Sequence, residues 1–95
     1  MDKKLFDSER KVMEVIWREG DITAGNVAAI LNEEIGWNRN TTYTVIKKCM
    51  EKGVLERREP KFICHAILTR EEAQEYEMEE LVNKMFDGSR TKFLS

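Results

Sequence analysis

Trp37-Asn38-Arg39-Asn40-Thr41-Thr42-Tyr43-Thr44-Val45-Ile46-Lys47-Lys48-Cys49-Met50, running on to Lys52 and Gly53, reads as a helix with a marked start and stop, and a short β-hairpin follows it. At about 100° per residue, Thr42, Val45, Ile46, Cys49 and Met50 gather on one side of this helix. Asn40, Thr41, Tyr43, Thr44, Lys47 and Lys48 gather on the other. The first face calls for a protein core. The second carries amides, hydroxyls and cations, which suit base edges and phosphates better than a hydrophobic interior.

Working outward, two more helices precede this one. Asp7 or Ser8 is a candidate cap for a helix with Val12, Met13, Val15, Ile16 and Trp17 as its apolar stripe and Gly20 at its end. After a short extended piece, Asp21-Ile22, Thr23 caps a second helix that buries Val27, Ala28, Ile30, Leu31 and Ile35 up to Gly36. Beyond the central helix, Val54 to Arg58 and Phe62 to Ile67 are β-compatible runs separated by Glu59, Pro60 and Lys61, the spacing of a tight hairpin. Thr69-Arg70-Glu71-Glu72 is a capping box that opens a last helix. On that helix Met78, Leu81, Val82, Met85 and Phe86 make one broad stripe until Gly88, while Glu71, Glu72, Glu75, Glu77, Glu79 and Glu80 read as a solvated face. Such a stripe needs a partner, either the first helix or a second copy of the chain.

Helix, helix, helix, hairpin, helix is the order of a winged helix-turn-helix, an α+β and mainly α fold with three helices, a two-stranded wing and a C-terminal helix. The division expected is a DNA-binding domain over residues 5–68, with the C-terminal helix and the start of a short or truncated dimerisation region over 69–95.

Composition agrees. Ninety-five residues, 41% apolar and 36% charged, make one small domain with one modest core. The longest apolar run is Val27 to Leu31, too short to cross a membrane, and no apolar signal segment follows Met1-Asp2-Lys3-Lys4. Two cysteines, Cys49 and Cys64, are too few for a disulfide framework, and a reducing cytoplasm is the simplest setting. The net charge of −2 conceals an uneven distribution. Residues 36–65 hold seven cations against three acids, and both flanking segments are acidic. A local basic field of this kind steers and holds nucleic acid whatever the total charge.

Other chemistries find little support. His65 is the sole histidine, no glycine-rich phosphate loop is present, and no nucleophile and base are suitably spaced, so no enzyme is expected. Cys64 and His65 are neighbours on a strand and point to opposite faces, so no metal site and no cofactor are expected either. The rival from another class is a winged helix used for contact with an acidic protein, without sequence-specific DNA binding.

Trp37-Asn38-Arg39-Asn40-Thr41-Thr42-Tyr43-Thr44 with Lys52-Gly53-Val54-Leu55 resembles the recognition segment of the penicillinase and methicillin-resistance repressors (BlaI/MecI), a family that includes copper-transport repressors. Ser8-Glu9, the Val12 to Trp17 segment and Leu68-Thr69-Arg70-Glu71-Glu72 are similar to the same family, so the likeness spans roughly residues 5 to 90. The resemblance implies a bacterial transcriptional repressor that binds an inverted repeat as a homodimer and is relieved by an inducing signal. It also implies further helices after Gly88, where this sequence continues only from Ser89 to Ser95 with Phe93 and Leu94, so a weak dimer is expected. A tyrosine frequent in the family's second wing strand stands here as Cys64, and the cysteine cluster of the copper-responsive relatives has no counterpart after it.

The expected DNA contacts are Asn40, Thr41, Tyr43, Thr44, Lys47 and Lys48 in the major groove, with Thr41 and Thr44 nearest the bases, and Arg39 at the start of the same helix. Arg57, Arg58 and Lys61 of the wing are assigned to phosphate or the minor groove, and Thr23 to a phosphate at the start of the second helix. Met78, Leu81, Val82, Met85 and Phe86 are the expected dimer face. Thr44→Ala should relax discrimination between operators by about 1 kcal/mol or more, whereas Lys47→Ala should weaken all duplexes alike. Binding titrations on matched and mismatched duplexes check this, and small, equal effects on every sequence would overturn the helix assignment.

Overall fold

Helix α1 (Asp7–Glu19) buries Val12, Met13, Val15 and Ile16, most of the stripe that its spacing predicts. The computed structural model describes residues 3–86. After α1 come β1 (Ile22–Thr23), α2 (Ala24–Ile35), α3 (Arg39–Lys52), β2 (Leu55–Arg58), β3 (Ile63–Ala66) and α4 (Arg70–Phe86). The winged helix-turn-helix order holds, with one addition. The extended piece before α2 is a true strand, and the sheet has three strands in the order β1-β3-β2. Ile22 and Thr23 of β1 pair antiparallel with Cys64 and Ile63, while Leu55 to Arg58 pair with Ala66 to Ile63. β1 thereby fastens the wing to the helices.

The local signals for helix ends work mostly as physical chemistry requires. Thr23 Oγ1 accepts the Asn26 N–H at 3.2 Å, and Asn38 Oδ1 accepts the Thr41 N–H at 2.8 Å. Gly36 and Gly53 close α2 and α3 at φ of 74° and 83°, a conformation that costs a residue with a Cβ. The Thr69 and Glu72 box is complete, with its two bonds at 3.0 and 2.9 Å.

The start of α1 departs from expectation. The cap position is Phe6, not Asp7 or Ser8, and the Phe6 N–H donates to Glu9 Oε1 at 2.9 Å. The cause lies elsewhere in the chain. Glu9 is only 3% exposed and receives the Lys52 ammonium at 2.5 Å from the end of α3, so the helix begins where this carboxylate can serve both donors. Lys52 also donates to the Lys4 carbonyl at 2.6 Å, and Lys3 reaches the Lys52 and Gly53 carbonyls at 3.3 Å.

The core joins Val12, Met13 and Ile16 of α1 to Val27 and Leu31 of α2, Val45, Ile46 and Cys49 of α3, and Val54, Leu55 and Cys64 beside and within the sheet. Ile35, expected inside, is 42% exposed, because it is the last residue of α2 and Gly36 turns the chain there. The wing loop is also longer than predicted and runs from Glu59 to Phe62. Lys61 and Phe62 take φ of 72° and 52°, which ends strand geometry before Ile63.

Only the first part of α4 meets the core. Ala73 is buried, Tyr76 packs beside it, and Trp17 Nε1 donates to the Leu68 carbonyl at 2.9 Å just before the helix begins. Further along, Met78, Leu81, Val82 and Met85 are 61%, 52%, 40% and 64% exposed, so the stripe does not pack on α1. Ion pairs span that gap instead. Arg10 meets Glu77, Lys4 meets Glu80 and Arg70 meets Glu14, so Glu77 and Glu80 are not merely solvated as their spacing suggests. Gly88, Phe93 and Leu94 lie outside the described residues.

Glu9→Ala should lower the unfolding free energy by roughly 1–3 kcal/mol, because it takes the acceptor from the Phe6 amide and leaves the part-buried Lys52 ammonium with only the Lys4 carbonyl. Urea titration with an unchanged slope is the check, and a loss under about 0.5 kcal/mol would mean that water replaces the carboxylate without cost.

Candidate nucleic-acid interface

Helix α3 is rotated so that Thr42, Val45, Ile46 and Cys49 face the core. Its outer surface is therefore Arg39, Asn40, Thr41, Thr44, Lys47 and Lys48, all exposed. Among the described residues, Arg39, Lys47, Lys48 and Lys61 have no carboxylate within ion-pair distance, whereas Arg10, Arg18, Lys52 and Arg70 are tied to acids. Among the described residues Lys3, Lys11 and Lys84 also lack an acidic partner, but α3 and the wing tip are where such cations come together. Lys61 protrudes at that tip in a left-handed backbone conformation.

Tyr43 differs from its neighbours on the outer face. Its ring is half-buried and packs edge-on against Phe62 of the wing loop, with centroids 6.0 Å apart. Its hydroxyl accepts from Arg39 Nη2 at 3.1 Å. The first turn of α2 lies alongside, since a Cβ placed on Gly25 would sit 3.8 Å from Arg39 Nη2 and 3.9 Å from the Tyr43 hydroxyl. The start of α2, the start of α3 and the wing loop therefore converge at one place. Thr23 is half-buried there, with its oxygen engaged as the α2 cap and its hydroxyl proton still able to be donated.

The two wing arginines have local partners that their sequence does not announce. Arg57 Nε donates to Glu59 at 2.5 Å, and Arg58 Nε donates to Glu56 at 2.7 Å with Asp21 3.7 Å from its Nη1. These pairs are about half exposed, and such pairs contribute about 0–1 kcal/mol, so a phosphate can replace the carboxylate at little cost. Phe62 is the residue that sequence reading passed over. An aromatic directly after Pro60-Lys61 in a basic hairpin was the available signal, and its significance depends on a partner in α3.

The profile of the penicillinase repressor family matches residues 5–95. The chain belongs to the penicillinase repressor family. A solved structure described as the solution structure of the DNA-binding domain of the repressor BlaI superposes with a TM-score of 0.67 at 25% identity, covering 76% of this chain and 93% of that one. No curated protein sequence matches. As a penicillinase repressor family member with this winged-helix fold, the chain is a DNA-binding transcription regulator and not an enzyme.

Within this family member the cysteines are core residues. Burial pushes the Cys49 thiol up to about 12, with the Glu9 charge adding to the effect, and burial pushes Cys64 up to about 11. His65, on the opposite face of β3 from Cys64, meets Asp21 at 2.8 Å. No group of three or more His, Cys, Asp or Glu among the described residues is arranged to hold a metal ion. No helix of the described residues is long and apolar enough to cross a membrane.

Raised thiol values leave almost no thiolate at neutral pH, and both sulfurs are shielded. Neither cysteine should be alkylated by iodoacetamide in native buffer on a timescale of minutes, and both should react after unfolding in urea. Mass spectrometry reads this directly, and rapid native labelling of either cysteine would contradict its burial.

Proposed function

We propose that this repressor works in the cytoplasm on an inverted-repeat operator, as a homodimer, with α3 in the major groove and the wing on the backbone. The observation that carries the reading is the outer face of α3. Asn40, Thr41, Thr44, Lys47 and Lys48 form one exposed strip of donors, acceptors and cations, and Lys47 and Lys48 have no acidic partner among the described residues. Thr41 and Thr44, in the first half of the helix, are assigned to base edges. Arg39, Asn40, Lys47 and Lys48 flank them, and Tyr43 serves through its hydroxyl. Arg57, Arg58 and Lys61 take phosphates or the minor groove, and Thr23 takes a phosphate at the α2 N-terminus.

On this reading residues 5–68 are the DNA-reading unit and 69–95 belong to the dimerisation region. The exposed Met78, Leu81, Val82 and Met85, with half-buried Phe86 at the end of the same stripe, supply the contact between copies. One stripe on one helix is a small interface compared with the roughly 1,200–2,000 Å² that stable assemblies bury. The free protein is then mainly monomer, or a dimer that dissociates at micromolar concentration. Family membership favours this reading over a protein-contact module.

Fluorescence anisotropy on single half-sites and inverted repeats at several salt concentrations, with sedimentation of the free protein, tests the proposal. Two copies should load on the inverted repeat about one helical turn or a multiple apart, with affinity well short of the roughly 10² to 10⁴ gain over one half-site that a firmly joined pair would show. Arg58→Ala should reduce the slope of log affinity against log salt by about 1. Binding indifferent to salt and sequence would sink the DNA reading, an unchanged slope would return Arg58 to the free surface, and a dimer persisting at nanomolar concentration would refute the weak interface.

A further inference from the structure

Four side chains form a continuous stack from the start of α3 to the wing. The Arg39 guanidinium carbon lies 5.1 Å from the centroid of the Tyr43 ring. The Tyr43 ring meets the Phe62 ring with an interplanar angle of 73°. The Arg57 guanidinium carbon stands 4.1 Å from the centroid of Phe62. Two cations from different elements thus sit at the two ends of one pair of touching rings.

The backbone around Phe62 points the same way. A phenylalanine gains nothing locally from a φ of 52°, next to Lys61 at 72°, and such conformations persist only where the surroundings hold them. Two contacts do so here. The ring is held by Tyr43 and Arg57, and the Phe62 carbonyl accepts the Ala24 N–H at 2.9 Å at the first turn of α2. A strained loop residue is therefore fixed from both sides, with its ring between helix and wing.

Stacking a guanidinium on a ring attracts its charge to the π face and leaves N–H edges for an anion. Arg39 spends one Nη on the Tyr43 hydroxyl, and Arg57 spends Nε on Glu59. Both have other N–H groups to offer. Long side chains held in this way lose less freedom when they bind, which is the usual gain from preorganisation.

We propose that Phe62 is a positioning residue for DNA binding: with Tyr43 it holds Arg39 of α3 and Arg57 of the wing at a set separation, so that the two guanidinium groups engage the phosphates of one duplex as a unit. This rests on the reading that α3 and the wing face DNA. Phe62 itself touches no phosphate. Its effect passes through the two arginines.

The test is a double-mutant cycle read by anisotropy on a fluorescein-labelled random duplex of about 30 base pairs, because phosphate contacts are independent of sequence. Arg39→Ala, Arg57→Ala and the double variant are compared in the native background, then with Phe62→Leu, which keeps apolar bulk without a π face, and with Phe62→Trp, which restores one. Tyr43→Leu breaks the same stack from the α3 side and serves if Phe62→Leu is poorly folded by circular dichroism.

In the native background the double variant should lose about two- to five-fold less affinity than the product of the single losses, the size expected of a stacked cation at a surface. That coupling should vanish with Phe62→Leu or Tyr43→Leu and return with Phe62→Trp. A role confined to stability would lower the melting temperature without creating or removing coupling. Single losses that simply multiply in the native background, or coupling that survives both ring deletions, would overturn the stack while leaving DNA binding by these arginines intact. If neither Arg39→Ala nor Arg57→Ala changes affinity, the stack and its parent reading of the interface both fall.

Discussion

The angle at which α3 is rotated about its own axis is the constraint on which the rest depends. Ile46 and Cys49 are fully buried and Val45 nearly so, and burying each large aliphatic side chain contributes about 1.5–3 kcal/mol. Turning the helix by one residue would bring Lys47 toward the core and carry Val45 and Cys49 to water. A bare ammonium inside would cost more than the core could return. The outward display of Asn40, Thr41, Thr44, Lys47 and Lys48 is thus a consequence of hydrophobic packing, and the functional surface needs no separate force to hold it open.

Rotation alone would leave the helix free to slide along its axis. Its two ends are pinned by polar contacts of different kinds. At the start, Asn32 Nδ2 of α2 donates to the Trp37 carbonyl just ahead of the helix at 3.0 Å. At the far end, Lys52 meets buried Glu9 of α1, and Lys3 holds the last carbonyls. A buried ion pair is weak evidence of net stability, since desolvation offsets much of its attraction. Its geometric effect is clearer, because the carboxylate, two lysines and the Phe6 amide fit only one register of α1 against α3.

Helix α4 is built on a different balance. Its first turns are tied by Ala73, Tyr76 and the contact of Arg70 with the Trp17 ring, whereas its later turns depend on partly exposed ion pairs from Lys4 and Arg10. Such pairs are individually weak. The reading head therefore keeps its shape without help from the distal part of α4, and the apolar side chains there remain uncovered within one chain.

How much of this was legible in the sequence follows from how local each feature is. The two faces of α3, the Thr23 cap, the Thr69 and Glu72 box and the glycine stops were readable, because each depends on residues within a turn or two and on fixed helical geometry. The exposed candidates on α3 follow from the same periodicity. Only the tertiary structure decided that Phe6 and not Asp7 or Ser8 caps α1, that β1 joins β3, that Ile35 reaches water, and that Glu77 and Glu80 are paired. It also decided that Phe62 meets Tyr43, which brings helix and wing together. Each of these is a contact between elements separated in the chain, governed by packing and charge in three dimensions, and such contacts leave no periodic mark in the order of residues.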